Sequence, residues 1–153
     1  MNEARLPYPT LAAPAFKGML QMARYLEDCS LDKRFLELIS LRVSQINGCT
    51  YCMDMHATAL QKAGEDSRRL HTLAGWRESP LFSAPEKAAL NWAELLTELG
   101  PLGAPDADYQ RLQNHYSDQQ IADLTFSITA INAWNRLGVG MRTPLPAEVE
   151  NAA

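Results

Sequence analysis

The sequence lacks several features that would place it in a specialised class of protein. Its 153 residues carry 14 Lys and Arg against 18 Asp and Glu, with no run of like charge. Nucleic acids and anionic membranes bind clustered basic residues, so we expect neither as a partner, and a small neutral or organic substrate fits better. No stretch approaches the roughly 18 apolar residues of a membrane span, and residues 1–5 do not begin a secretory signal. The expected location is the cytoplasm.

Cysteine is also scarce, because the chain has only three. The spaced framework that cross-links small secreted domains is missing. In a reducing compartment, two cysteines as close as Cys49 and Cys52 are more typical of catalysis or metal binding than of structural cross-linking. Cys29 is interpreted as a small buried side chain without a function.

Strand-like alternation, internal repeats and low-complexity segments are absent, whereas apolar residues recur at helical spacing through most of the chain. The sequence therefore predicts one all-α domain over 1–153, with a core of about 30–137. An extended N-terminal arm covers 1–13 and a Pro-containing tail covers 143–153. The strongly apolar second helix is expected in the middle of the fold, and Gly138 to Gly140 are expected to end the last helix. The seven predicted helices are 14–27, 32–46, 49–63, 66–74, 83–99, 106–115 and 118–137. Ser83 with Glu86, and Ser117 with Gln120, have the spacing of a capping box at the start of a helix.

The most informative stretch follows the Asn47-Gly48 dipeptide, which ends the preceding helix and allows a new one to begin at Cys49. At 100° per residue, Cys49, Cys52 and His56 fall in one arc of about 120° together with apolar residues. We therefore expect both thiols and the imidazole on the face that turns inward.

This arrangement suits thiol redox chemistry. A free thiol with a pKa of about 8.5 is mostly protonated at neutral pH, and a helix N-terminus favours the reactive thiolate. His56, four residues after Cys52, can accept its proton, so Cys52 is the preferred nucleophile and Cys49 the resolving cysteine. Residues three apart in a helix are close enough for a disulfide. The pattern thus predicts reduction of a peroxide through a sulfenic acid and a disulfide.

Other interpretations compete with this one. A histidine on an apolar face is by itself more often a hydrogen-bonded core residue. A Cys-x-x-Cys motif is often half of a zinc site, but zinc needs four ligands, and remote His71 or His115 would have to complete the set. A thioredoxin-like domain lacks its βαβ context here, and Met53 stands where covalent haem attachment would need histidine. Thiol redox chemistry is favoured over metal binding.

The pattern of Glu37, eleven intervening residues, Cys49-Thr50-Tyr51-Cys52, three residues and His56 resembles the AhpD-like alkylhydroperoxidases of the carboxymuconolactone decarboxylase superfamily. The segment 132–136, Asn-Ala-Trp-Asn-Arg, also looks like the closing segment of that family. The resemblance implies an all-helical fold with a central antiparallel helix pair, and homo-oligomers, trimers or hexamers. It implies a hydroperoxide substrate attacked by Cys52, with Cys49 resolving, Glu37 and His56 in a proton relay, and no bound cofactor. The implied external reductant is a dithiol, a dihydrolipoyl protein in the well-studied branch.

Taken alone, the polar stripe of Glu37, Ser40 and Ser44 favours a solvated glutamate at position 37. If the two helices form an antiparallel hairpin, however, residue 37 lies opposite residue 58, within about one turn of His56, so the relay is geometrically allowed. Tyr51 stands where the best-known branch has histidine, and a phenol is a poor base near neutral pH. Tyr51 is therefore a further candidate site residue. The alternatives are a decarboxylase or lactone-processing enzyme of the wider superfamily, and a non-enzymatic redox or zinc-responsive module.

Overall fold

A computed structural model of the protein describes residues 3–146, and these are all-α, as the sequence predicts. The seven predicted helices are present, and one short helix precedes them. A 3₁₀ turn, Leu73–Gly75, follows the fifth helix. The helices are α1 (Tyr8–Leu11), α2 (Ala13–Glu27), α3 (Lys33–Asn47), α4 (Thr50–Lys62), α5 (Ser67–Thr72), α6 (Ala84–Thr97), α7 (Asp106–Gln113) and α8 (Asp118–Met141).

Helix α3 lies at the centre of the fold because it is apolar over most of its circumference. It packs against α4, α6 and α8, and buries Leu38, Ile39 and Val43 among them. Burial of each such side chain contributes roughly 1.5–3 kcal/mol. The polar stripe of Glu37, Ser40 and Ser44 on the same helix faces inward as well, toward α4 and α8. The centre of the domain therefore combines an apolar core with a polar strip in which Ser40 and Ser44 are buried and Glu37 is half-buried.

Helix starts agree with the predicted capping residues. Ser83 and Glu86 form a complete capping box at α6, and Ser117 and Gln120 form a second one at α8. In this motif the side chain of the first residue accepts a hydrogen bond from the backbone N–H three residues later, and the side chain of that later residue accepts one from the backbone N–H of the first. The two hydrogen bonds fix where the helix begins. The Asp32 side chain accepts a hydrogen bond from the Phe35 N–H at the start of α3. These local hydrogen bonds fix where α3, α6 and α8 begin.

The N-terminal arm differs from the predicted extended segment. Its residues 8–11 form the single turn of α1, and the Arg5 N–H donates to the Met141 carbonyl oxygen at 2.9 Å. Tyr8 meets Phe16 edge to face, and Phe16 in turn meets Trp134 of α8. Aromatic contacts thus hold the arm against its own chain. Residues 1–2 of the predicted arm and 147–153 of the predicted tail lie outside the described residues.

Helix α8 does not end at Gly138 to Gly140, so that prediction was wrong. It continues to Met141, and Arg142 then adopts a left-handed conformation with φ of 55°. The Thr143 N–H reaches the Gly138 carbonyl oxygen at 2.9 Å, the hydrogen bond that closes a Schellman-type helix end. Glycine lowers helix propensity by only about 1 kcal/mol, and packing against the rest of the fold overrides it.

Helix α2 is fastened to α8 through Asp123, whose side chain is buried. Its carboxylate accepts hydrogen bonds from the Tyr25 hydroxyl at 2.6 Å and from both the backbone N–H and the hydroxyl of Ser30. Gln119 donates a further one. Burial opposes ionisation, but these hydrogen bonds hold the pKa of Asp123 below its ordinary value. The carboxylate therefore ties the end of α2 to the N-terminal part of α8.

We expect Asp123→Asn to destabilise the fold by about 2 kcal/mol at pH 7, because an acceptor of charge-assisted hydrogen bonds is lost. A pKa that is lower in the folded state stabilises at neutral pH, and the contribution disappears as pH falls through that folded-state pKa. The difference in the free energy of unfolding between the wild type and Asp123→Asn should therefore be smaller in acid. Urea denaturation at pH 7 and pH 3 measures it, with the exposed Asp54→Asn as control. An equal loss at both pH values would contradict this account.

Candidate active site

The site begins at the corner between α3 and α4. Gly48 adopts a left-handed conformation with φ of 67°, its N–H reaches the Gln45 carbonyl oxygen, and the Cys49 N–H reaches that of Ser44 at 3.1 Å. These two hydrogen bonds form a Schellman motif, which reverses the chain within two residues. Cys49 is the N-cap of α4, and its Sγ accepts a hydrogen bond from the Cys52 N–H at 3.4 Å. The helix thus begins at Thr50, one residue later than predicted.

The two cysteines are joined by a disulfide, with their Cα atoms 5.3 Å apart. Both side chains are buried, with exposed fractions of 2% for Cys49 and 3% for Cys52. A separation of this size lies in the middle of the range that disulfides adopt, so the thiols can join without moving the backbone far. The corner therefore places two buried cysteines at a separation that suits a disulfide.

His56 and Glu37 meet across the α3–α4 hairpin. The His56 Nδ1 donates to the Glu37 Oε2 at 2.6 Å, because a carboxylate can only accept. The His56 Nε2 is buried and has no hydrogen-bond partner among residues 3–146. The ring thus has one nitrogen oriented by a carboxylate and the other free to exchange a proton. Glu37, the candidate site residue farthest in sequence from the two cysteines, thus lies beside α4.

A buried amide network holds the corner against α8. The Asn47 Nδ2 donates to the Asn132 Oδ1 at 2.9 Å and to the Asn135 Oδ1 at 3.0 Å. The Asn135 Nδ2 donates to the Ser44 hydroxyl, which itself donates to the Ser40 carbonyl oxygen. Because each of these groups has a partner, burial costs little and the geometry is fixed.

The Asn47-Gly48 dipeptide predicts a turn and does not reveal this function of Asn47. The family resemblance includes the segment 132–136 but gives no structural reason for its two asparagines. A signal was available: Asn132 and Asn135 lie three residues apart, on a helix face that is otherwise apolar. Polar residues that share a buried helix face need partners, and those partners lie on another helix.

Gly138 lies where α8 passes the disulfide. A Cβ atom at this position would stand 2.8 Å from the Cys49 Sγ and 3.5 Å from the Cys52 Sγ. Contacts as short as the first are not tolerated, so only glycine allows the two elements to approach this closely. The glycine that the sequence suggested as a helix end is instead a point of contact with the dithiol.

We expect Gly138→Ala to displace Cys49 and to slow closure of the disulfide, although alanine normally stabilises a helix by up to about 1 kcal/mol. Gly140→Ala is the matched control, since a Cβ there meets nothing within 4 Å. Thermal denaturation and the rate of disulfide formation with diamide measure the two effects. If both variants closed the disulfide at the wild-type rate, the contact would have no influence on the dithiol.

A cavity of about 540 Å³ lies next to the dithiol and is walled mainly by apolar side chains. Cys52, His56, Glu37 and Tyr51 all line it, and Cys49 does not. Cys29, His71 and His115 are not among its lining residues either. Four of the five predicted site residues thus share one cavity, while their individual roles stay predictions. Its apolar walls include Phe16, Leu20 and Leu26 of α2, Leu36 of α3, and Ile131 and Trp134 of α8.

The model of the carboxymuconolactone decarboxylase family matches residues 11–95, which include α3, the corner and α4. The chain belongs to the carboxymuconolactone decarboxylase family. The AhpD-like resemblance found in the sequence is confirmed by the relatives described next. Among residues 3–146 of this family member, no helix is long and apolar enough to cross a membrane.

Three relatives show how far the family likeness extends. An uncharacterised protein of Bacillus subtilis, YdfG, is 39% identical over 137 residues, covering 90% of this chain and 93% of its own. The alkyl hydroperoxide reductase AhpD of Coxiella burnetii is 59% identical over 34 residues, 22% of this chain and 19% of its own. A crystal structure from Agrobacterium tumefaciens, provisionally assigned to antioxidant defence as an AhpD, is 38% identical. It has a TM-score of 0.90 and covers 95% of this chain and 100% of its own.

Proposed function

We propose that this protein is a thiol-dependent hydroperoxide reductase that cycles between a dithiol and a disulfide. The observation that carries the proposal is the placement of Cys52 in an apolar cavity, linked to Cys49 and beside the His56–Glu37 hydrogen bond. The AhpD relatives support the same activity, and the proposed reductant is a dithiol, with a dihydrolipoyl protein as the first candidate. The homo-oligomer and the influence of Tyr51 stay predictions.

The first step is attack of the Cys52 thiolate on the terminal peroxide oxygen. The S–O bond forms as the O–O bond breaks, which leaves a sulfenic acid on Cys52 and an alkoxide. The His56 Nε2 first takes the thiol proton and then returns it to the alkoxide, which leaves as an alcohol. Glu37 holds the ring through Nδ1 and stabilises the imidazolium while the proton resides there. One peroxide is reduced and one thiol is oxidised by two electrons.

The second step closes the disulfide seen in the structure. The Cys49 sulfur attacks the Cys52 sulfur, the S–O bond breaks, and water leaves. A Cα separation of 5.3 Å allows this bond to form without a large movement of the backbone. An external dithiol then reduces the disulfide by two thiol–disulfide exchanges, which restores both thiols.

The alternatives receive less support from the site. Within residues 3–146, no three His, Cys, Asp or Glu side chains are arranged to hold a metal ion. The zinc-responsive module would need His71 or His115, and both are exposed on other elements. A decarboxylase or lactone-processing activity has no need for a dithiol next to its cavity. Enzymatic activity that persists after alkylation of the thiols would favour a decarboxylase or lactone-processing enzyme.

We expect Cys52→Ser to abolish hydroperoxide-dependent oxidation of a dithiol, because the attacking thiolate is removed. Cys49→Ser should allow one oxidation only and should accumulate a sulfenic acid on Cys52. Mass spectrometry with dimedone trapping distinguishes the two variants after one equivalent of cumene hydroperoxide. In the wild type, the same measurement should show a loss of two hydrogens between Cys49 and Cys52.

Cys29→Ser is the matched control for these variants, since Cys29 is the one free cysteine among the described residues and lies outside the cavity. It should react as the wild type does. Undiminished turnover of Cys52→Ser would show that the proposed nucleophile is wrong.

We expect His56→Gln and Glu37→Gln to slow sulfenic acid formation, by about 100-fold for the former, since general acid–base catalysis contributes roughly 10²–10⁴-fold. Glu37→Gln should have the smaller effect, because the ring keeps a hydrogen-bond acceptor but loses the negative charge. Stopped-flow fluorescence across a range of pH measures the rate. The exposed His71→Gln is the control, and equal rates for it and His56→Gln would contradict the relay.

A further inference from the structure

The dithiol has two sides, and each cysteine faces a different one. Besides the large cavity, a smaller opening of about 170 Å³ is lined by Cys49, Thr50, Val139 and Arg142 among others. Cys49 lines the smaller opening and not the large cavity, whereas Cys52 lines the large cavity and not the smaller opening. The two cysteines of one disulfide therefore line different spaces.

Three residues, Tyr51, Gly138 and Thr143, line both spaces and lie between them. Gly138 is the position where a Cβ would collide with the Cys49 Sγ and touch the Cys52 Sγ. The last turn of α8 thus passes directly over the disulfide and divides its surroundings. Tyr51 of α4, which lies between the two cysteines in sequence, separates the same two spaces on the opposite side.

The two spaces also differ in character. The large cavity has mostly apolar walls and contains the His56–Glu37 hydrogen bond. The smaller opening is rimmed by exposed side chains, with Thr50 from α4, Val139 from α8 and the cationic Arg142 just beyond it. An apolar peroxide fits the first, and a thiol presented by another molecule can reach the second.

We propose that the reductant attacks the Cys49 sulfur through the smaller opening, while the peroxide reaches Cys52 through the large cavity. This inference rests on the proposed thiol-dependent function and assigns its two half-reactions to opposite sides of the disulfide. It makes Thr50, Val139 and Arg142 the rim at which a dithiol reductant binds.

The exchange balances in two steps. A reductant thiolate attacks the Cys49 Sγ, a new S–S bond forms to the reductant, and the Cys49–Cys52 bond breaks, releasing Cys52 as a thiolate. The second reductant thiol, as its thiolate, then attacks the reductant sulfur of that mixed disulfide and releases the Cys49 thiolate. The reductant leaves as a disulfide, oxidised by two electrons, and the protons from its two thiols end on Cys49 and Cys52.

Both leaving groups are stabilised where they form. The Cys52 thiolate is released one helical turn before His56, whose Nε2 has no other partner among the described residues. The Cys49 thiolate keeps the hydrogen bond from the Cys52 N–H at the helix N-terminus. Thiols that leave as stabilised anions leave faster, so attack at Cys49 suits both exchanges.

The test measures the two half-reactions separately in Val139→Trp and Met55→Trp. Both positions are about half exposed, at 49% and 44%, but Val139 lines the smaller opening and Met55 the large cavity. Val139→Trp should slow reduction of the disulfide by dihydrolipoamide about tenfold, a barrier of about 1.4 kcal/mol, and leave oxidation by cumene hydroperoxide unchanged. Met55→Trp should slow oxidation by cumene hydroperoxide and leave reduction by dihydrolipoamide unchanged. Equal slowing of both half-reactions by Val139→Trp would overturn the proposal.

A second measurement does not depend on these variants. Oxidised wild-type protein is treated with glutathione, quenched with acid, alkylated and mapped by mass spectrometry. Glutathione should be found on Cys49 and the alkylating group on Cys52, and the opposite distribution would overturn the proposal. Thr50→Trp, at another exposed residue of the same rim, replaces Val139→Trp if that variant does not fold.

Failure of this inference is distinguishable from failure of the proposed function. Diamide forms the disulfide without any peroxide, so reduction by dihydrolipoamide and glutathione mapping remain measurable in a protein with no peroxidase activity. If hydroperoxide did not oxidise the wild-type protein, only the proposed function would be contradicted. Attack at Cys52 in the diamide-oxidised protein would contradict the two-sided arrangement alone.

Discussion

The site depends on the two hydrogen bonds that the Asn47 side chain donates to α8. They join the last residue of α3 to Asn132 and Asn135, and Cys49 follows only two residues later. A buried amide left without partners costs about 1–3 kcal/mol, so the corner has one strongly preferred position relative to α8. The Schellman hydrogen bonds then transmit that position to Cys49. The dithiol is therefore placed by buried polar groups, within a core that is otherwise held by apolar packing.

Fixing α8 in this way has consequences along its whole length. Near its end, Gly138 comes into contact with the sulfurs, and one turn earlier Trp134 forms a wall of the cavity and packs against Phe16 of α2. Nearer its start, Asp123 fastens the other end of α2. One helix thus contacts both the disulfide and the α2 side of the cavity. Because the cavity walls are apolar, the Glu37–His56 interaction is stronger there than it would be in water.

Much of this arrangement could be predicted from the sequence because the relevant signals are local. Apolar spacing and the Ser83 and Ser117 caps gave the helices, and the dithiol and His56 lie within eight residues of one another. Glu37 was suggested by the family resemblance, and the geometry of a hairpin only allowed it to reach His56. The amide network could not be found in the same way, since Asn47 and its partners are 85 and 88 residues apart. The continuation of α8 past Gly138 was missed for a related reason, because packing outweighed the local preference of glycine.

The difference between the two cysteines also arises from the backbone. On an uninterrupted helix, residues three apart would share one face and meet the same surroundings. Cys49 instead has the extended conformation of an N-cap, with φ of −83° and ψ of 95°, whereas Cys52 lies in the first turn of α4. The N-cap side chain turns back toward the free N–H groups, and the helical side chain points into the cavity beside His56. One Cys-x-x-Cys motif thereby provides two thiols with different neighbours, a requirement for a reaction in which one sulfur meets the oxidant and the other resolves it.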